Sequence, residues 1–89
     1  MVNDDNTLKI VFLPNFQDVL KKLKEPTKSE VKKKIEKIVK NPKIGKPMRY
    51  GRKGTREVYV GSKSFRLSYK YLEDENTIYF ADFYHKKHQ

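Results

Sequence analysis

One stretch limits the folds open to this chain more than any other: Ser64-Phe65-Arg66-Leu67-Ser68-Tyr69-Lys70-Tyr71-Leu72. Apolar and polar residues alternate with period 2, the spacing of a strand buried on one face. Phe65, Leu67, Tyr69 and Tyr71 share one side; Ser64, Arg66, Ser68 and Lys70 share the other. With helices covering the apolar side, Arg66 is held in mid-strand and aimed away from the core. Such a strand centres a small fold and presents a fixed cation to an anion.

The segments around it supply the helices and the neighbouring strands. Leu8-Lys9-Ile10-Val11-Phe12-Leu13 is a short β-rich run and predicts a first strand. Pro14 stops it, with Asn15 a candidate N-cap. Phe16, Val19, Leu20 and Leu23 put one apolar stripe on a helix over 15–24, ended by Glu25-Pro26. Thr27-Lys28-Ser29-Glu30 has the form of a capping box, with Glu30 reaching back to the Thr27 amide. A second helix then runs to Lys40 and buries Val31, Ile35, Ile38 and Val39. Its lysines at 32, 33, 34, 37 and 40 read first as a solvated face. Helices joined by so short a connection pack as an antiparallel hairpin.

Residues 43–54 are basic and broken by Gly and Pro, and predict a loop with a short edge segment. Thr55 to Val60 predicts strand two, with Val58 and Val60 on one side and Glu57 and Tyr59 on the other. Gly61-Ser62-Lys63 turns it into strand three. After the turn at Glu73-Asp74-Glu75-Asn76, strand four covers 77–84. Both of its sides are apolar or aromatic, so parity alone leaves its core side open. The expected fold is α+β, in the order β-α-α-β-β-β. A helical hairpin covers one face of a mostly antiparallel four-stranded sheet and leaves the other face to function. The 89 residues suffice for one domain, with a frayed 1–6 and a basic tail over 86–89.

That open face is expected to be strongly cationic. Lys plus Arg number 21 against 11 Asp plus Glu, a net charge of +10 that costs stability by self-repulsion and suits a polyanion. No apolar run approaches the roughly 20 residues of a membrane span. An acidic, polar N-terminus does not read as a secretory leader, and there is no cysteine for a disulfide scaffold or a thiolate zinc site. A cytoplasmic protein is expected.

Arg66 is the first candidate site residue, since a guanidinium fixed on a strand suits a phosphate; the alternative is an Arg that only pairs with Glu57 across the hairpin. His85 is the second, as a proton carrier or as an ordinary exposed His. Glu57 is a candidate general base or an orienter of Arg66. Tyr59 and Tyr84 can stack on bases or simply pack. Lys46, Arg49, Arg52 and Lys86 supply phosphate contacts. The sequence carries no nucleoside-triphosphate loop, dinucleotide fingerprint or metal-ligand cluster, and the expected chemistry uses no cofactor. RNA cleavage by its own 2′-hydroxyl fits such groups: a base at the hydroxyl, cations on the phosphorane, an acid at the leaving oxygen.

In order and spacing these residues resemble the RelE/ParE superfamily of toxins from type II toxin–antitoxin pairs. The likeness is carried by the lysine-rich helix closing at Asn41-Pro42, by Gly45-Lys46-Pro47-Met48, by Phe65-Arg66-Leu67-Ser68-Tyr69 and by Tyr84-His85-Lys86-Lys87. The resemblance implies a ribosome-dependent endoribonuclease that cuts mRNA in the A site. It implies inhibition by a cognate antitoxin, RelB-like, acidic and partly disordered. By position Arg66 is similar to the arginine on the scissile phosphate, Lys86 to a second basic residue, and His85 to the histidine of a YoeB-like branch. Where RelE carries strand-two lysines this chain reads Glu57 and Tyr59. The family often carries a functional tyrosine beyond the last strand, and Tyr84 is the candidate to substitute for it here. Two other functions stay open: a ParE-type non-enzymatic inhibitor of DNA gyrase, and a basic RNA-binding module without catalysis.

Overall fold

The computed structural model describes residues 7–48, 54–61 and 65–85. Its elements are β1 (Lys9–Phe12), α1 (Pro14–Lys22), α2 (Thr27–Lys40), β2 (Lys46–Pro47), β3 (Thr55–Val60), β4 (Phe65–Leu72) and β5 (Thr77–His85). One five-stranded sheet has the order β1-β5-β4-β3-β2. The alternating stretch is its central strand, as its pattern predicts. The expected edge segment is the fifth strand: Lys46 and Pro47 pair antiparallel with Glu57 and Arg56. The β1–β5 pair is parallel, because the helical hairpin carries the chain over the sheet before the strands meet. Among the described residues no helix is long and apolar enough to cross a membrane.

Both helices lie on one face. Phe16 of α1 and Val31 and Ile38 of α2 pack with Val60, Leu67, Tyr69, Ile78, Phe80 and Phe83 in a single buried cluster. Each large apolar side chain so buried contributes roughly 1.5–3 kcal/mol. Phe12, Phe16 and Phe80 stack with centroids 5.4–5.8 Å apart and fasten β1 and α1 to β5.

The helix starts differ from the expected caps. Leu13 is the extended residue before α1, and Pro14 takes the first helical position with its φ already set. Asn15 is therefore inside the helix, and its amide donates to the Asp82 carboxylate at 3.0 Å. The capping box at Thr27 and Glu30 does not form. Pro26 occupies the cap position, so Thr27 is already helical. The Glu25 carboxylate substitutes, accepting from the Ser29 amide at 3.2 Å and from the Ser29 hydroxyl.

The two-sided apolarity of β5 has a structural reason. Between Ser68 and Tyr69 the register with β4 slips: Ser68 lies opposite Asp82, but Tyr69 lies opposite Phe80. This bulge takes up one residue, Ala81, and reverses the alternation. Ile78 and Phe80 face the helices before it; Phe83 faces them after it. The part of the chain that sequence parity left open is thus assigned by one extra residue.

Candidate functional site

The face of the sheet away from the helices gathers side chains from three strands. Glu57 and Tyr59 come from β3, Arg66 from β4 and Tyr84 from β5. Arg66 lies directly between Tyr59 and Tyr84 in the strand pairing. Alternation in β3 and β4 puts these groups together, and the bulge in β5 brings Tyr84 to the same side. Lys46, from the edge strand β2, sits opposite Glu57.

Arg66 and Glu57 form a diagonal ion pair, Nη1 to Oε2, at 3.1 Å. Their side chains are only 16% and 15% exposed, so the pair is largely withdrawn from solvent. The guanidinium carbon lies 5.0 Å from the centre of the Tyr59 ring, within cation–π reach. The Tyr84 hydroxyl donates to the other Glu57 oxygen at 3.3 Å. Glu57 therefore joins Arg66 to Tyr84, one carboxylate oxygen for each. Arg66 Nε is buried and has no hydrogen-bond partner among the described residues. The guanidinium fork has five N–H donors, so its pairing with Glu57 leaves capacity for an anion.

A groove of about 370 Å³ lies between α2 and the β2–β3 part of the sheet, lined by Lys34, Lys37, Ile44, Lys46, Glu57 and Tyr59 among others. Two of the helix lysines expected to form a solvated face thus border a groove that Glu57 and Tyr59 also line.

The expected convergence of His85 on this face does not occur. His85 lies opposite Phe65, on the side that carries Leu67 and the helices. Its ring meets the Phe65 ring edge-on, centroids 4.9 Å apart, and Phe65 stacks on Phe83. The reason is the bulge, which sends residue 84 to the open face and residue 85 to the helix side. Arg49, Arg52 and Lys86 lie outside the described residues.

Sequence reading passed over two polar residues on the helix side. Tyr69 is fully buried. Its hydroxyl accepts from the Gly45 amide at 2.9 Å and donates to the Pro42 carbonyl at 2.8 Å. Burial pushes its phenol above the usual tyrosine value, against the opposing effects of Gly45 and Arg56. Arg56 donates to the carbonyls of Gly45, at 2.7 Å, and Lys43, at 3.2 Å. The one available signal was a tyrosine at a core position, where phenylalanine would fill the same space.

Residues 10–87 match the family described as the ParE-like toxin of type II bacterial toxin–antitoxin systems. In fold the chain is similar to the isolated E. coli RelE toxin, with a TM-score of 0.76 at 17% identity over 89% of this chain and 84% of that one. It is similar to a chain of the intact E. coli RelBE toxin–antitoxin complex, with a TM-score of 0.74 at 18% identity over 86% of this chain and 94% of that one. An E. coli RelE mutant in complex with a RelB antitoxin peptide gives a TM-score of 0.71 at 18% identity, over 85% and 80% of the two chains. At such identities the likeness to the solved structures is one of fold. No curated protein matches the chain.

Proposed function

Because this chain belongs to the ParE-like toxin family of type II bacterial toxin–antitoxin systems, we propose that it is the endoribonuclease toxin of such a pair, cutting mRNA in the ribosomal A site. The observation that carries the reading is the Arg66–Glu57–Tyr84 cluster on the open sheet face. It joins a fixed cation, a carboxylate and a phenol, the three kinds of group that 2′-hydroxyl attack requires.

In this reading Arg66 binds the scissile phosphate and stabilises the phosphorane, with Lys46 and Lys86 as further phosphate contacts. Glu57 takes the 2′-hydroxyl proton as the 2′-oxygen bonds to phosphorus. Tyr84 gives its proton to the 5′-oxygen as the bond from phosphorus to that oxygen breaks. The products are a 2′,3′-cyclic phosphate and a free 5′-hydroxyl. The contact between Tyr84 and Glu57 returns the proton from the carboxyl to the phenolate and resets the site. Tyr59 offers a stacking surface beside Arg66, and His85 supports the end of β5 from behind. Arg49 and Arg52 extend the phosphate track. The partner is a cognate antitoxin, acidic enough to meet a +10 chain. E. coli RelE, in complex with RelB, is the precedent. The site of action is the cytoplasm, where the ribosomes are.

A second reading keeps the fold and drops the chemistry: a ParE-type inhibitor of DNA gyrase. What favours it is that Glu57 already engages Arg66, where RelE carries lysines. Induced expression of the wild type beside Arg66→Ala, with primer extension on a reporter mRNA, separates the two. Codon-phased cuts and arrest with the wild type alone support the nuclease. Arrest with uncut mRNA and inhibited supercoiling moves the function to gyrase. Equal cutting by both proteins removes Arg66 from the site.

A further inference from the structure

The core position of Tyr69 needs a ring but not a hydroxyl. Its hydroxyl is nonetheless fully used, and both of its partners are backbone groups of the loop between α2 and β2, Gly45 N–H and Pro42 C=O. Arg56 holds the same loop through the carbonyls of Lys43 and Gly45. Within the loop, the Ile44 amide donates to Asn41. Four hydrogen bonds from two side chains of the central sheet thus converge on residues 42–45.

Gly45 is buried in the middle of this arrangement. A Cβ on it would lie 2.7 Å from the Tyr69 hydroxyl and 2.9 Å from the Glu57 carbonyl. The loop is wedged between the phenol and the backbone of the residue that carries the Glu57 carboxylate. The next residue is Lys46, which pairs with Glu57 across the sheet edge. With only two residues, β2 has too few ladder bonds to fix this register alone; its neighbouring bond is Met48 N–H to Thr55 C=O at 3.0 Å.

We propose that Tyr69 is a positioning residue: its hydroxyl, with Arg56, locks the 42–45 loop so that Lys46 is held beside Glu57 and Arg66. The clamp sits on the helix side and its effect is felt on the open face, through a loop that rounds the sheet edge. The placement of Lys46 is a property of the fold. Its use on RNA rests on the function proposed above, so the test has two arms.

The first arm is amide hydrogen exchange on the full chain, wild type beside Tyr69→Phe. Tyr69→Phe keeps the ring in the core. It is expected to speed exchange of the Gly45 and Met48 amides at least about tenfold, while amides of the β4–β5 ladder keep their protection. Unchanged exchange at Gly45 and Met48 overturns the clamp. Gly45→Ala attacks the same loop from its other partner: the phenol stays in the chain, and the added Cβ collides with its hydroxyl and with the Glu57 carbonyl. It is expected to give the same local loss, and it decides the matter where Tyr69→Phe does not fold.

The second arm is the salt dependence of binding to a short single-stranded RNA. Lys46→Ala lowers the log–log slope by about 0.7, one single-strand phosphate contact. Tyr69→Phe lowers it equally, and the double variant loses no more than either alone. Additive losses in the double variant overturn the coupling to Lys46. A wild type that binds no RNA sinks the proposed function, while the exchange arm still judges the clamp.

Discussion

Glu57 is shared by two partners, and its two oxygens do different things. One holds the Arg66 guanidinium; the other takes the Tyr84 hydroxyl. Glu57→Gln keeps the shape and removes the base. Cleavage is expected to fall by about 10²–10⁴-fold, with RNA affinity kept or raised because a negative charge has left the surface. Single-turnover cleavage and a binding isotherm on the same variant measure the two effects; equal losses in both would make Glu57 a structural partner only. The variant also leaves Arg66 without its charged acceptor, at about 1.5–3 kcal/mol of stability. His85 stands on the other side of the same strand end. If its work is to pack on Phe65, His85→Phe keeps cleavage within about tenfold of the wild type, since it loses none of the proton transfers that contribute about 10²–10⁴-fold each. A hundredfold loss in that variant would return the proton-transfer role to the histidine.

At the scale of elements, two features depart from the patterns that predict them. The start of α2 is capped by Glu25 rather than by Thr27. Its carboxyl is held below the ordinary value, chiefly because the Ser29 hydroxyl donates to the charged form; desolvation opposes this, and the Ser29 amide, Lys32 and Lys28 add to the lowering. A lowered folded-state value gives stability that is full above pH 4.5, the ordinary value, and is lost as pH falls through the folded one. Melting curves of the wild type and Glu25→Gln are therefore expected to differ at pH 6 and to converge in acid. A gap that does not shrink as the pH falls below 4.5 would show that the cap acts through something other than charge. The second feature is the bulge at Ala81. It sets which of Tyr84 and His85 meets Arg66, so one residue in a strand selects the phenol over the imidazole for the open face.

The whole molecule carries +10, and its two faces divide the labour. The helix side makes the core; the open side presents the Arg66 cluster. Among the described residues, Tyr69 and Tyr79 have phenols raised above 10.0: Tyr69 chiefly by burial, Tyr79 chiefly by its bond to Glu75. A raised folded-state value gives stability that is complete below pH 10.0 and is lost as pH rises through the folded value. Unfolding free energy is therefore expected to drop above pH 10, and to drop less steeply in Tyr69→Phe, which lacks this buried phenol. Urea titrations at pH 8 and 11 on both proteins measure this. Parallel slopes would place the alkaline loss elsewhere, in Tyr79 or in the lysines.

Local pattern carries most of this architecture. The alternation in β4, the stripes of α1 and α2 and the short connection between them follow from side-chain period and from Pro at helix ends. They are legible because each is written within about ten consecutive residues. Arg66, Glu57 and Tyr59 share one face for the same reason: two strands joined by a short turn share their parity. Lys46 lies in a stretch that reads as a loop, and its pairing with Glu57 at the sheet edge brings it beside them. The parallel β1–β5 pairing, the bulge that exchanges Tyr84 for His85, and the hold of Tyr69 on a loop 24 residues away have no local signature. Each depends on which distant groups are satisfied once the core closes, and only the assembled sheet decides that.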